Sequence, residues 1–180
     1  EEGHEAATVT YAQQDGLRSA ATAEAEPSVV AARPAAYRPE PGRTVQEHYD
    51  RGRALYEEGR FEEALGAFRL IVENEPEYLP GWYSMAVTLY SGMGRVEEAR
   101  TVLEQAVRWD STRVEIYQLL GVIYLNLDQP GPAAAALTRA VSLEPSSWES
   151  HARLGLAYIR LDEADKAERA FLAAAARAPH

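Results

Sequence analysis

The chain has no cysteine, which excludes disulfide bonds and cysteine-ligated zinc. It has no run of 18 apolar residues, the length that a membrane-spanning helix needs. Basic residues are few: 18 Lys and Arg stand against 28 Asp and Glu, which gives a net charge of −10. This balance argues against a nucleic-acid partner, because binding to phosphates requires clustered cations. Neither asparagine, Asn74 or Asn126, begins a glycosylation sequon.

Motifs for catalysis and metal binding are also missing. The sequence contains no H-E-x-x-H, G-x-S-x-G or phosphate-loop pattern. His48 and His151 fall at a position that aromatic residues fill elsewhere in the chain, so we interpret both as packing residues. The carboxylate pair Glu62 and Glu63 lies at a predicted helix start, where it complements the helix dipole. We therefore expect no enzyme activity, no cofactor and no metal.

What the sequence does contain is a repeated pattern, clearest in residues 148–179. There Gly155 is followed by Tyr158, and Ala167 is followed four residues later by Phe171. The pattern recurs upstream at steps of 34, 35 and 34 residues. The glycine position is filled by Gly121, Ala86 and Gly52, the alanine position by Ala133, Ala99 and Ala64, and the phenylalanine position by Leu137, Leu103 and Phe68. Small residues at two positions let paired helices approach closely, and large residues at the others fill the space between repeats.

This pattern resembles the tetratricopeptide repeat (TPR) family over residues 45–179. The resemblance implies an all-α fold, a right-handed solenoid of four helix-turn-helix repeats at 45–78, 79–113, 114–147 and 148–180. Helices are expected at roughly 45–58, 61–74, 79–91, 96–109, 114–127, 131–143, 148–161 and 164–177. Residues 1–44 are rich in Ala and Pro and are predicted to form an extended arm. The function that the family implies is a non-enzymatic scaffold or binding module.

Local signals refine the predicted helix boundaries. Three capping boxes are predicted at helix starts, from Thr44 with Glu47, Thr112 with Glu115, and Ser146 with Glu149. The second repeat carries one extra residue near 91–94, which we expect to lengthen its turn.

A groove lined with tyrosine is the candidate binding site. In TPR arrays the first helix of each repeat lines the concave groove, and helical spacing selects the inward positions. The predicted groove residues are Tyr49, Arg53, Tyr56, Tyr83, Tyr90, Gln118, Asn126 and Arg160. Tyrosine offers a flat apolar ring and a hydroxyl at low entropic cost, which suits an extended peptide or a polysaccharide. The alternative is that these rings pack on one another or on the arm.

Self-assembly is the second functional expectation. The sequence stops at residue 180 without a capping helix, so a bare apolar face predicts head-to-tail stacking into a ring or filament. The predicted assembly residues are Tyr11, Val29, Val30 and Tyr37 of the arm, with Phe171, Leu172 and Ala175 of the last helix. In the alternative, the arm folds back over its own solenoid and the chain stays monomeric.

Three functions stay open at this point. The first is a self-assembling scaffold subunit, with copies of itself as partners. The second is a monomeric adaptor that binds a peptide of an envelope secretion or pilus machine, and the third is a glycan-binding surface protein. Because the sequence begins with Glu1 rather than Met, we expect a processed, secreted, cell-surface or periplasmic chain, although a cytoplasmic location is left open.

Overall fold

The computed structural model describes residues 44–179, and every regular element in that range is helical. The helices are α1 (Val45–Glu57), α2 (Phe61–Asn74), α3 (Leu79–Val87), α4 (Val96–Trp109), α5 (Val114–Asn126), α6 (Pro130–Leu143), α7 (Trp148–Arg160) and α8 (Ala164–Ala175). The all-α prediction is confirmed. The predicted helix ends lie within two residues of the observed ones, except that α3 ends at Val87 and a π-helical segment, Thr88–Gly92, continues it past the predicted end at 91. The predicted arm up to residue 43, with Tyr11, Val29, Val30 and Tyr37, lies outside the described residues.

Each helix pair is held together by a small residue on the first helix and a large one on the second. A Cβ atom added to Gly52 would lie 2.6 Å from the Phe68 ring, and one added to Gly155 would lie 2.7 Å from the Phe171 ring. Gly121 lies as tightly against Leu137. These contacts leave no room for a larger side chain, as the spacing of the repeats predicted.

The turns inside the four pairs share one geometry, and each is three residues long: 58–60, 93–95, 127–129 and 161–163. The second residue has positive φ in every turn, at Gly59, Gly94, Asp128 and Asp162. The next N–H then donates back to a carbonyl of the first helix: Arg60 to Leu55, Arg95 to Leu89, Gln129 to Tyr124 and Glu163 to Tyr158. The same closing bond therefore fixes the second helix on the first in every pair.

The extra residue of the second repeat lies in the helix and not in the turn. Residues Thr88–Gly92 continue α3 as one π-helical turn, and the Met93 N–H donates to the Thr88 carbonyl at 3.1 Å. The prediction of a longer turn was wrong. Because the closing bond holds the turn at three residues, the added residue is accommodated by a wider helical turn, a common form of single-residue insertion in helices.

Of the three predicted capping boxes, one forms. The box of Thr44 and Glu47 is confirmed, with the Thr44 N–H donating to Glu47 Oε2 at 2.7 Å. Thr112 instead donates to Asp110 at 2.6 Å, and α5 begins without a side-chain cap. At α7 the cap is Ser147, whose Oγ accepts the Ser150 N–H at 3.2 Å. The predicted boxes starting at Thr112 and Ser146 were therefore wrong. The Thr112 hydroxyl binds Asp110, and Ser147 takes the N-cap position in place of Ser146.

The buried side chains form two apolar clusters that meet at α5 and α6. The first cluster extends from Leu55 to Ala136 and contains Phe68, Trp82 and Met85. The second is smaller and consists of Leu125, Ala133, Ala134, Leu137, Leu154, Ala157 and Ala170. Among the described helices, none is both long and apolar enough to cross a membrane.

The Gly121 contact gives a test of the repeat register. Gly121→Leu would drive a branched side chain into Leu137, so we expect the free energy of unfolding to fall by ~1–3 kcal/mol or more. The same substitution at Gly131 is the control, because a Cβ there meets nothing within 4 Å. Thermal melting followed by circular dichroism measures both, and equal melting curves for the two variants would contradict the assigned register.

Candidate functional site

Two adjoining pockets lie along the first helices of the repeats, and Tyr49 and Tyr83 line both of them. The larger encloses about 230 Å³ and is completed by Leu79, Pro80, Arg113, Glu115 and Ile116. The smaller encloses about 150 Å³ and is completed by Arg53, Tyr56, Glu57, Phe68, Ser84, Val87 and Thr88. We call these two pockets together the tyrosine site. It spans α1, α3 and the start of α5.

Tyr49 is a wall of the tyrosine site and also part of the core. Its ring lies 5.7 Å from Tyr78 in an edge contact and 5.8 Å from Phe68, measured between centroids. Its hydroxyl accepts a hydrogen bond from Ser84 Oγ at 3.3 Å. The ring is thus fixed on both sides, and it offers a rigid surface to a ligand.

Tyr83 occupies the corresponding position one repeat later and is much more open. Its side chain is 38% exposed, and its hydroxyl makes no hydrogen bond to any residue in 44–179. Partial burial raises the pKa of its phenol above the usual range, and the nearby Glu115 adds to the effect. The hydroxyl is therefore protonated at neutral pH and available to donate to a ligand.

The remaining predicted tyrosines make contacts within the solenoid. Tyr56 packs edge-on against Phe61 at 5.3 Å between centroids. Tyr90, which lies in the π-helical turn, accepts a hydrogen bond from Asn126 of the next repeat. Two of the predicted groove residues are therefore joined to each other, and they connect α3 to α5.

The predicted polar residues at the other end of the groove also connect neighbouring repeats. Gln118 donates to Ser150 Oγ at 2.8 Å and to Ser147 Oγ at 3.1 Å, a polar cluster between α5 and α7. Arg160 donates to the Leu125 carbonyl and lies 3.7 Å from Asp128. In this half of the groove the side chains mainly hold the repeats together.

The charged residues of the tyrosine site are balanced in sign. Arg53 faces Glu57 at 3.7 Å, and Arg113 faces Asp110 at the same distance. Spacing alone did not reveal Leu79, Pro80, Arg113 or Glu115 as site residues, because they belong to the first turns of α3 and α5 or directly precede them. Within residues 44–179 no group of three potential ligands could hold a metal ion.

The predicted assembly residues of α8 are exposed together with neighbours on α7. Phe171 is 37% exposed, whereas Phe68 at the same position of the first repeat is 1% exposed. Leu172 is 62%, Ile159 57% and Leu156 50% exposed, and Ala175 is exposed beside them. We call Leu156, Ile159, Phe171 and Leu172 the end face. One repeat earlier, Leu137 at the position of Phe171 and Leu125 at the position of Ile159 are buried.

His151 and Trp82 have the same structural task at equivalent positions. His151 Nε2 lies 3.1 Å from the Pro145 carbonyl, and the Trp82 indole donates to the Pro76 carbonyl at 2.8 Å. Each ring thus fixes the segment that enters its own repeat. His48, at the equivalent position of the first repeat, is also buried. The interpretation of His48 and His151 as packing residues agrees with this geometry.

Known proteins share this architecture. Two tetratricopeptide-repeat models match the chain, one over residues 55–123 and the other over 14–78 and 119–180. The crystal structure of MamA protein is 26% identical over 73% of this chain and 72% of that chain, with a TM-score of 0.69. TTC0263, a thermophilic TPR protein in Thermus thermophilus, is 26% identical over 76% of this chain and 75% of that chain, with a TM-score of 0.60.

YrrB, described as a TPR protein with an unusual peptide-binding site, shares the fold at 21% identity and a TM-score of 0.67, covering 76% of this chain and 70% of that chain. No curated protein matches the chain. The repeat models together cover well over half of the sequence, and they agree with the helix pairs and with the close contacts that hold them. The chain belongs to the tetratricopeptide repeat family.

Proposed function

We propose that this chain is a non-enzymatic scaffold that binds an extended peptide segment of a partner at the tyrosine site. The observation that carries the proposal is Tyr83, a large aromatic ring left 38% exposed between two adjoining pockets. Exposed tyrosine in a partly desolvated pocket is a common centre of binding energy in protein interfaces.

The shape of the tyrosine site favours a ligand that is long and narrow. Its two pockets adjoin along the first helices of three successive repeats, so a bound segment would contact Ile116 at one end and Tyr56 at the other. The rings of Tyr49 and Tyr83 supply apolar contact, and Arg53, Arg113 and Glu115 can pair with a polar backbone. A polysaccharide could stack on the same rings, so the experiment below includes sugars.

The first test is selection from a displayed library of 12-residue peptides, with an oligosaccharide array run in parallel. We expect peptides to be enriched, and we expect Tyr83→Ala to weaken the selected peptide at least tenfold, as for an interface hot spot. Trp109→Ala is the matched control, because Trp109 is an exposed aromatic outside the tyrosine site.

The stability of the variants separates binding from folding. Tyr83→Ala should cost only ~1 kcal/mol of unfolding free energy, while Tyr49→Ala should cost several times more because Tyr49 packs on Phe68 and Tyr78. Enrichment of sugars alone, or full peptide affinity in Tyr83→Ala, would contradict the proposal.

A second function, end-to-end self-association, is favoured by a different observation. The end face exposes four large apolar side chains of α7 and α8, Leu156, Ile159, Phe171 and Leu172, although Phe68 at the position of Phe171 is buried. A surface of this kind on one end and a different surface on the other would give a head-to-tail contact, which closes into a ring or extends into a filament.

The test of self-association is the double variant Ile159→Glu and Leu172→Glu, measured by light scattering over a range of concentrations. These two residues are preferable to Phe171, whose ring also packs against Gly155 within its own repeat. We expect the unmodified chain to gain mass with concentration and the double variant to remain monomeric. Trp109→Glu controls for added charge. A monomeric unmodified chain at the highest concentration would refute self-association.

A further inference from the structure

A third pocket lies on the other side of α5, between α4 and α6. It encloses about 430 Å³ and is separate from the tyrosine site. Its lining consists of Glu104, Val107, Tyr117, Leu120, Tyr124, Pro132, Ala135 and Ala136. We call it the outer pocket. No step in the proposed binding of a peptide at the tyrosine site uses it.

The outer pocket is open because α6 carries small residues at three positions, whereas α4 carries larger ones at all three and α8 at two. Pro132, Ala135 and Ala136 of α6 correspond to Glu98, Thr101 and Val102 of α4 and to Lys166, Arg169 and Ala170 of α8. The short side chains of α6 leave the rings of Tyr117 and Tyr124 partly uncovered. The small side chains of α6 therefore account for the space at this junction.

The next repeat shows what occupies the equivalent space. Tyr158 is the counterpart of Tyr124, and the Lys166 amine lies over the Tyr158 ring, 5.4 Å from its centroid. The same amine pairs with the Glu163 carboxylate at 2.6 Å. At the outer pocket the position of Lys166 is taken by Pro132, so the Tyr124 ring has no cation from its own repeat.

A carboxylate is nevertheless present at the outer pocket. The Tyr124 hydroxyl donates to Glu104 Oε1 at 2.7 Å, and the Arg100 guanidinium approaches the same oxygen only to 3.7 Å. Burial and this contact with Glu104 raise the pKa of Tyr124 to about 12, so the phenol is a stable donor at neutral pH. The second ring, Tyr117, has the Arg139 guanidinium 6.0 Å from its centroid.

We propose that the outer pocket binds a basic side chain, arginine or lysine, of a partner polypeptide. The partly uncovered ring of Tyr124 attracts a cation, and the Glu104 side chain offers an oxygen acceptor beside it. Val107, Leu120 and Ala136 can cover the methylene stem of such a side chain. None of the lining residues is a cation, and the net charge of −10 favours the approach of a basic segment.

The first experiment compares two capped tripeptides that differ only in charge. N-acetyl-Gly-Arg-Gly-amide is titrated into the full chain, and the shifts of the Tyr117 and Tyr124 ring protons are followed by NMR. The citrulline analogue has nearly the same shape without the charge. We expect saturable shifts with the arginine peptide and affinity for the citrulline peptide lower by about tenfold, the scale of a partly desolvated cation–π contact.

Variants of the chain then locate the bound cation. Pro132→Lys introduces the lysine that the next repeat carries at the equivalent position, Lys166. Its amine should occupy the outer pocket and abolish the NMR shifts caused by the arginine peptide. Gly131→Lys is the matched control, since it adds the same charge one residue earlier, at a Cβ position in open space. Glu104→Gln keeps the size of the side chain and should weaken the arginine peptide several-fold.

The results of these experiments either support or overturn the proposal. Loss of binding in Pro132→Lys, with retention in Gly131→Lys, supports it. Equal affinity for the citrulline peptide, unchanged binding in Pro132→Lys, or no saturable shift with the arginine peptide overturns it. Should Pro132→Lys fold poorly, as judged by circular dichroism, unchanged affinity in Glu104→Gln overturns the proposal on its own.

Discussion

The close approach of two helices at a position filled by glycine or alanine is the constraint on which the rest of this structure depends. Where Gly52 faces Phe68, and Gly155 faces Phe171, the ring occupies the space that a Cβ would need. That contact sets the distance between the helices, and the three-residue turn with its single closing bond follows from it. Four pairs built in the same way present equivalent surfaces to one another, so stacking buries one row of side chains and leaves a second row along the groove.

Helix positions were predictable because the same packing problem recurs four times. Local features were less predictable, because they depend on competition between nearby groups. Thr112 is bonded to Asp110, and Ser147 caps α7 in place of Ser146. The extra residue of the second repeat shows the same limit: the sequence locates the insertion, but the rigid turn geometry decides that the helix absorbs it as the π-helical turn at Thr88–Gly92.

The sequence predicted which positions line the groove, but not which of their side chains are exposed to a ligand. Tyr49 and Tyr83 occupy the same position in two repeats, and their spacing cannot distinguish them. Their neighbours do, because Tyr49 is enclosed by Phe68 and Tyr78 whereas Tyr83 faces the open start of α5. The outer pocket was missed for a related reason. Its signal is three small residues of α6 opposite two tyrosines, and such a gap becomes visible only once the facing helices are known.

The division of the apolar core into two clusters gives the solenoid unequal halves. The first cluster contains Phe68, Trp82 and Met85, whereas the second is largely alanine, and each buried methylene that is absent removes roughly 0.8 kcal/mol of burial free energy. Local opening should therefore begin at α7 and α8, which would exchange their amide hydrogens before α2 and α4 do. The tyrosine site is built on the half that resists opening, so its shape can stay fixed while the opposite end fluctuates. A partner bound to the end face would then stabilise the weaker half, and it would slow amide hydrogen exchange well beyond the residues that it contacts.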